Sequence, residues 1–237
     1  MSQIKPLKST IGKKVIMAVS GILLMLFLIA HLAGNLTLFV SADTFNAYAH
    51  KLESLGPLLY VAEAGLLAVF LFHIIAAFQT YAEKRRARPD AYAVSASKKG
   101  PSKMTVASKS MIYTGIILLL FIPAHIWMFK FNAGTPHPTT ELDGQEVKDI
   151  YTTVVNAFAN PAVAFGYAGV MFLLGLHLRH GFWSALQSLG AMCPKWSPLI
   201  YAAGLLFALA LAGGFFILPL YFYFCGAGSC AVSGGAL

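Results

Sequence analysis

Four histidines, His31, His73, His125 and His177, each lie deep inside a separate apolar stretch of the chain. An ionisable side chain in such surroundings is costly and marks a site where a ligand is held or a charge is moved. Imidazole is a ligand for transition metals and an axial ligand for haem iron. The residue type therefore points to metal or redox chemistry. Whether the four side chains act together depends on the elements that carry them.

Those elements read as membrane spans. The chain has 237 residues, 58% of them hydrophobic and 11% charged, where a soluble domain carries roughly 25% charged residues. Val15 to Val40, Met111 to Phe129, Asn156 to Leu178 and Ser197 to Leu237 contain no charged residue, and Leu58 to Tyr81 contains only Glu63. A helix needs about 20 apolar residues to cross the hydrocarbon. The expectation is an all-α integral membrane protein with five transmembrane helices in a bundle, at about 15–39, 58–81, 110–131, 161–186 and 198–224. Together they form one membrane domain over residues 1–237. Few residues remain for a soluble catalytic domain, so any substrate chemistry in water falls to partner subunits. The first apolar run exceeds the 7–15 residues typical of a signal-peptide core and is read as a retained span.

Charge sets the orientation. Segments 1–14 and 82–110 carry Lys5, Lys8, Lys13, Lys14, Lys84, Arg85, Arg86, Arg88, Lys98, Lys99, Lys103 and Lys109, whereas the alternate loops carry Asp43, Glu53, Glu141, Asp143, Glu146 and Asp149. Basic loops stay in the cytoplasm, which puts the N-terminus there and the C-terminus on the outer side of a cell inner (cytoplasmic) membrane. The net charge of +8 then follows from topology and anionic lipid, and no nucleic-acid partner is needed. Of the three cysteines, Cys193 falls near the inner surface, while Cys225 and Cys230 fall beyond the fifth span. The latter two are open to two readings, a disulfide closing a small outer loop or two unpaired thiols. The absence of C-x-x-C-H argues against covalently attached haem.

Between spans, the basic Ser-rich segment with AEKRRARPD and SKKGPSK reads as an irregular loop on the side where a soluble partner docks. TPHPTTELDGQ reads as turns and EVKDIYTTVVNAF as a short interfacial helix. Pro123 and Pro219 fall inside spans. No internal sequence repeat is evident.

Helical rise of about 1.5 Å per residue converts sequence distance into depth. Counted from Lys14 and Lys109, His31 and His125 rise about 25 Å and share an outer level; counted back from Glu83 and Gln187, His73 and His177 stand about 15 Å up and share an inner level. One pair thus belongs to spans one and three, the other to spans two and four, as two stacked bis-histidine haems require. His180, three residues past His177, competes for the same iron, for a haem propionate or for an interfacial place. His50 and His137 fall in outer loops and read as solvated.

These residues resemble a known family. HLAGNLTLF at His31, LFHIIAAFQTY at His73, AHIWMF at His125 and HLRHGFWSALQSLG at His177 look like the single-subunit, five-helix, two-haem cytochrome b membrane anchor of succinate:quinone oxidoreductase (respiratory complex II) or fumarate reductase. The resemblance covers nearly the whole chain. It implies two haem b groups, with His73 and His177 holding the inner iron and His31 and His125 the outer. It also implies two partners on the cytoplasmic side: a flavoprotein with FAD that carries the succinate and fumarate chemistry, and an iron–sulfur subunit. The anchor hands their electrons to a membrane quinone, menaquinone in the two-haem type.

Glu63, the only carboxylate within a span, is then a candidate for proton transfer at an outer quinone site; the plainer reading has it facing water or paired with Lys51. Arg179 is a candidate partner for a propionate, because guanidinium binds carboxylate through two hydrogen bonds, or a side chain snorkelling to the interface. Lys13 and Lys14 are further propionate candidates. Trp127, Trp183 and Trp196 suit an interfacial aromatic belt. Gly21, Gly34, Gly65, Gly115, Gly169 and Gly175 supply gaps between helices. Two other functions compete: a cytochrome b subunit of a hydrogenase or formate dehydrogenase, and a transporter or proton channel. The scarcity of Asp, Glu, Asn and Gln in the spans argues against the last.

Overall fold

The computed structural model describes residues 9–87 and 105–229. Five long helices dominate: α1 (Thr10–Leu36), α3 (Pro57–Arg86), α4 (Val106–Phe129), α6 (Pro161–Ser188) and α7 (Ser197–Ser229), with two short ones, α2 (Ala42–Glu53) and α5 (Ile150–Phe158). All five long helices are sufficiently long and apolar to cross a membrane. The chain is an all-α, multi-pass membrane protein. The helices depart from the expected spans at their ends: α3 runs on through the charged turn to Arg86, whereas α1 and α4 stop at Leu36 and Phe129.

Local chemistry sets these ends. Ser9 caps α1 by accepting from the Gly12 amide at 3.0 Å, and Thr105 and Ser108 form a reciprocal capping box at the start of α4. Helices α3 and α6 both open with proline at the first turn, Pro57 and Pro161, where a missing amide proton costs nothing. Helices α4 and α7 continue through Pro123 and Pro219.

The long helices alternate in direction. The end where α1 begins is termed the near face and the opposite end the far face. At the near face Lys13 of α1 pairs with Glu83 of α3. At the far face Glu63 of α3 pairs with Lys130, just past α4. The closest packing is between α6 and α7, followed by α1 with α3, α4 with α6 and α1 with α6. The core runs along α6 and α7, through Met171, Leu174, Leu178, Ala208, Leu211, Phe215 and Leu218, and takes in Met25 and Leu32 of α1. Helices α3 and α4 stand at its margin: among the described residues Ala76 is the buried residue of α3, and Ala107 and Thr114 those of α4.

A polar joint at the far face ties the short helices together. Asn46 of α2 is 1% exposed; its amide donates to Asp149 Oδ1 at 2.9 Å and its carbonyl accepts from the Tyr151 amide at 2.9 Å. Asp149 in turn caps α5 by accepting from the Thr152 amide at 3.0 Å. Two strands precede α5, β1 (Thr139–Leu142) and β2 (Gln145–Lys148), paired antiparallel. Asp143 and Gly144 turn between them with φ of 52° and 76°, the left-handed geometry of a two-residue hairpin. The expected helix over EVKDIYTTVVNAF is found from Ile150 to Phe158 and is corrected at its first three residues, which are strand. The basic loop between α3 and α4, with Lys98, Lys99 and Lys103, lies mostly outside the described residues, as do Cys230 and any disulfide it forms with Cys225.

The reading of no internal repeat is also corrected. The order long helix, short helix, long helix occurs twice, as α1–α2–α3 and α4–α5–α6. Ser20-Gly21 to Ala30-His31 in α1 matches Thr114-Gly115 to Ala124-His125 in α4, with Gly, Ile, Leu, Leu, Phe, Ala and His identical at seven of twelve positions. In α3, Pro57, Ala64-Gly65 and His73 recur at the same spacing as Pro161, Ala168-Gly169 and His177 in α6. Corresponding helices run in the same direction, so the halves relate as a parallel repeat about an axis along the bundle. Helix α7 stands outside the repeat.

Candidate functional site

The structure brings the four histidines together as two pairs. His31 and His125 have ring centres 5.8 Å apart, on α1 and α4. His73 and His177 have ring centres 6.4 Å apart, on α3 and α6. Neither α1 with α4 nor α3 with α6 is among the closely packed helix pairs. The imidazoles reach across the interior from backbones that stay apart.

That spacing suits one metal between each pair. An imidazole–metal bond is about 2.0–2.1 Å and the ring centre lies about 1.1 Å behind its nitrogen, so trans imidazoles on one metal have centres about 6 Å apart. Among the described residues no group of three or more His, Cys, Asp and Glu converges on one point. Two nitrogens are too few for a bare zinc ion, which takes four ligands. They are the number left open by a metal that brings its own equatorial donors, as iron in a porphyrin does.

The two pairs differ in their surroundings. In the inner pair each ring meets a hydroxyl and a glycine of the neighbouring helix. His73 Nδ1 lies 3.3 Å from Ser20 Oγ, and a Cβ added to Gly21 would stand 3.3 Å from His73 Cε1. His177 Nδ1 lies 3.2 Å from Thr114 Oγ1, and a Cβ added to Gly115 would stand 3.6 Å from His177 Cε1. In the outer pair each ring stacks on a phenylalanine one turn earlier in its own helix: Phe27 on His31 at 5.3 Å and Phe121 on His125 at 5.6 Å. Phe215 of α7 adds to His31 at 5.6 Å, and Tyr167 Oη stands 3.5 Å from His125 Nδ1. Ser20, Thr114, Phe27, Phe121 and Tyr167 escape a reading of the sequence that looks only for charged and ligating types. The recurrence of hydroxyl-Gly and Phe at fixed distances before His31 and His125 is the signal that finds all of them but Tyr167.

The remaining candidates are scattered. His180 lies near His177 on α6 and packs edge-on against Trp183 at 4.8 Å; its Nδ1 is buried without a hydrogen-bond partner among the described residues. Arg179 is exposed. Glu63 pairs with Lys130 rather than Lys51, and Lys13 is engaged by Glu83. Trp183 is 6% exposed and packs between His180 and Tyr201, so it belongs to the interior and not to a belt; Trp127 and Trp196 are exposed. His50 is exposed as expected, but His137 is half-buried and wedged between Thr153 Oγ1 at 3.3 Å and the Lys130 carbonyl at 3.2 Å. Of the span glycines, Gly34 admits the ring of Tyr48, which a Cβ would meet at 2.5 Å, and Gly175 faces Ala212 Cβ at 3.1 Å.

Compared with known proteins, the chain matches no family model, no curated protein and no solved structure.

Proposed function

We propose that the chain is the di-haem cytochrome b anchor of a succinate:quinone oxidoreductase, carrying electrons from an iron–sulfur partner to a membrane quinone, menaquinone by resemblance. The observation that carries the reading is the assembly of four intramembrane histidines into two pairs whose separations would admit one metal each. His73 and His177 hold the inner group and His31 and His125 the outer. Haem b supplies one-electron storage at each level. The residues of the chain would orient the imidazoles and furnish neighbours for the propionates, for which Arg179 and His180 on α6 are the candidates. Glu63, at the far end of α3 and paired with Lys130, is the candidate for proton exchange at a quinone site on the outer side. The flavoprotein and iron–sulfur partners dock at the near face, which this reading assigns to the cytoplasm.

A pyridine haemochrome assay on the purified complex tests the proposal. Two b haems per copy of this chain are expected. One haem, or none, rejects it.

A further inference from the structure

In the inner pair the hydroxyl protons are already committed. Ser20 Oγ donates to the Ile16 carbonyl at 2.7 Å, with the Met17 carbonyl at 3.2 Å. Thr114 Oγ1 has the Ser110 and Met111 carbonyls both at 3.1 Å. Each hydroxyl has one proton, and backbone carbonyls one turn back take it. Each oxygen is left only with lone pairs for the imidazole beside it, at 3.3 Å for His73 and 3.2 Å for His177. The imidazole must therefore be the donor and carry its proton on Nδ1. Ser20 is 5% and Thr114 2% exposed, so water does not compete for either bond.

We infer that Ser20 and Thr114 are positioning residues that fix the Nδ1-protonated tautomer of His73 and His177 and so leave Nε2 of each ring as the nitrogen able to ligate a metal. The inference rests on the haem reading and goes beyond it. A neutral imidazole carries one ring proton, and its second nitrogen accepts only if the first is satisfied. An acceptor on Nδ1–H gives the ring partial imidazolate character and favours the more oxidised metal. A hydroxyl that is itself donating to a carbonyl is a better acceptor, because chained hydrogen bonds polarise one another. The two devices occupy equivalent places in the repeat, each next to the glycine that admits the ring. The outer pair has phenylalanine faces where the inner pair has hydroxyls, with only the 3.5 Å contact from Tyr167. The one chain thus builds two paired-imidazole sites of different polarity.

The test is a redox titration of the assembled complex carrying Ser20→Ala or Thr114→Val, followed in the visible spectrum. The two variants shift the same one of the two haem components to higher potential and leave the other where it was. Thr114→Ser and Ser20→Thr, which keep the hydroxyl, restore the original value. Should the first variants fail to accumulate, Ser20→Cys and Thr114→Cys replace the oxygen by a weak acceptor and are expected to shift the same component upward. Potentials unmoved in a complex that holds both haems, or different components moving in the two variants, overturn this inference and leave the parent reading standing. An unmodified complex without haem overturns both.

Discussion

At the scale of single residues, pairing is the strongest claim and complementation of losses tests it. If His31 and His125 serve one iron and His73 and His177 another, replacing any one by alanine leaves its partner with half a site. His73→Ala and His177→Ala are expected to abolish the same spectral component, and His31→Ala and His125→Ala the other, each variant retaining one haem of two by pyridine haemochrome. Loss of different components within a pair would break the assignment. Glu63 makes a separate prediction. Its ion pair with Lys130 is part-exposed, with both side chains above a third exposed, and such pairs are worth about 0–1 kcal/mol. Glu63→Gln should therefore leave the fold and both haem spectra intact while slowing quinone turnover several-fold. Unchanged turnover removes Glu63 from the proposed quinone site.

At the scale of elements, the polar joint between α2 and α5 holds the far-face loops. Asn46 is buried and satisfies two groups at once; Asn46→Ala leaves both without that partner, at about 1–3 kcal/mol for each that stays buried and unsatisfied. A lowered thermal midpoint of the purified protein is the expected reading. Asp149 adds a pH dependence. Burial pushes its carboxyl upward, but hydrogen bonds from Thr152 and Asn46 outweigh this and hold it below the ordinary aspartate value of 3.8. A group with a depressed pKa in the folded state stabilises at pH above its unfolded value and loses that contribution as pH falls through the folded one. The thermal advantage of the native protein over Asp149→Asn should therefore be level from pH 6 to about pH 4.5 and shrink below 3.8; an advantage constant down to pH 3 would refute the electrostatic part. Little of this joint was legible beforehand. The long helices announce themselves by uncharged runs, but α2, with Asp43, His50, Lys51 and Glu53 in twelve residues, looks like any polar loop. The hairpin was signalled by Asp143-Gly144, yet the charged residues flanking it hid its strands inside an apparent helix. The joint around Asn46 and Asp149 links residues distant in sequence, which no local pattern announces.

At the scale of the whole molecule, the repeat explains why four histidines were legible in sequence and their supports were not. His177 follows His125 by ten residues more than His73 follows His31, and the hairpin from Thr139 to Lys148 has that length. A single offset therefore aligns α1 with α4 or α3 with α6, never both. Ligating side chains stand out by type, whereas Ser20, Thr114, Phe27 and Phe121 are ordinary residues for a span and gain meaning only once two copies are superposed. The same two-fold plan places both ends of α1 and α4 alike, so the charge at those ends fixes the orientation of both halves together. Lys13, Lys14, Lys84, Arg85, Arg86, Lys109 and Lys195 all lie at the near face. Each basic residue beside an anionic leaflet contributes about 1 kcal/mol, and short basic loops resist translocation. The far face keeps Lys148 and Lys130 paired with Glu53 and Glu63, which blunts any opposing pull. With Cys193, Cys225 and Cys230 replaced by serine, a cysteine at exposed Ser54 should react with a membrane-impermeant maleimide on intact cells, and one at Lys195 only after permeabilisation. The reverse pattern would turn the bundle over, carrying the inner histidine pair and the face proposed for partner docking to the opposite side of the membrane.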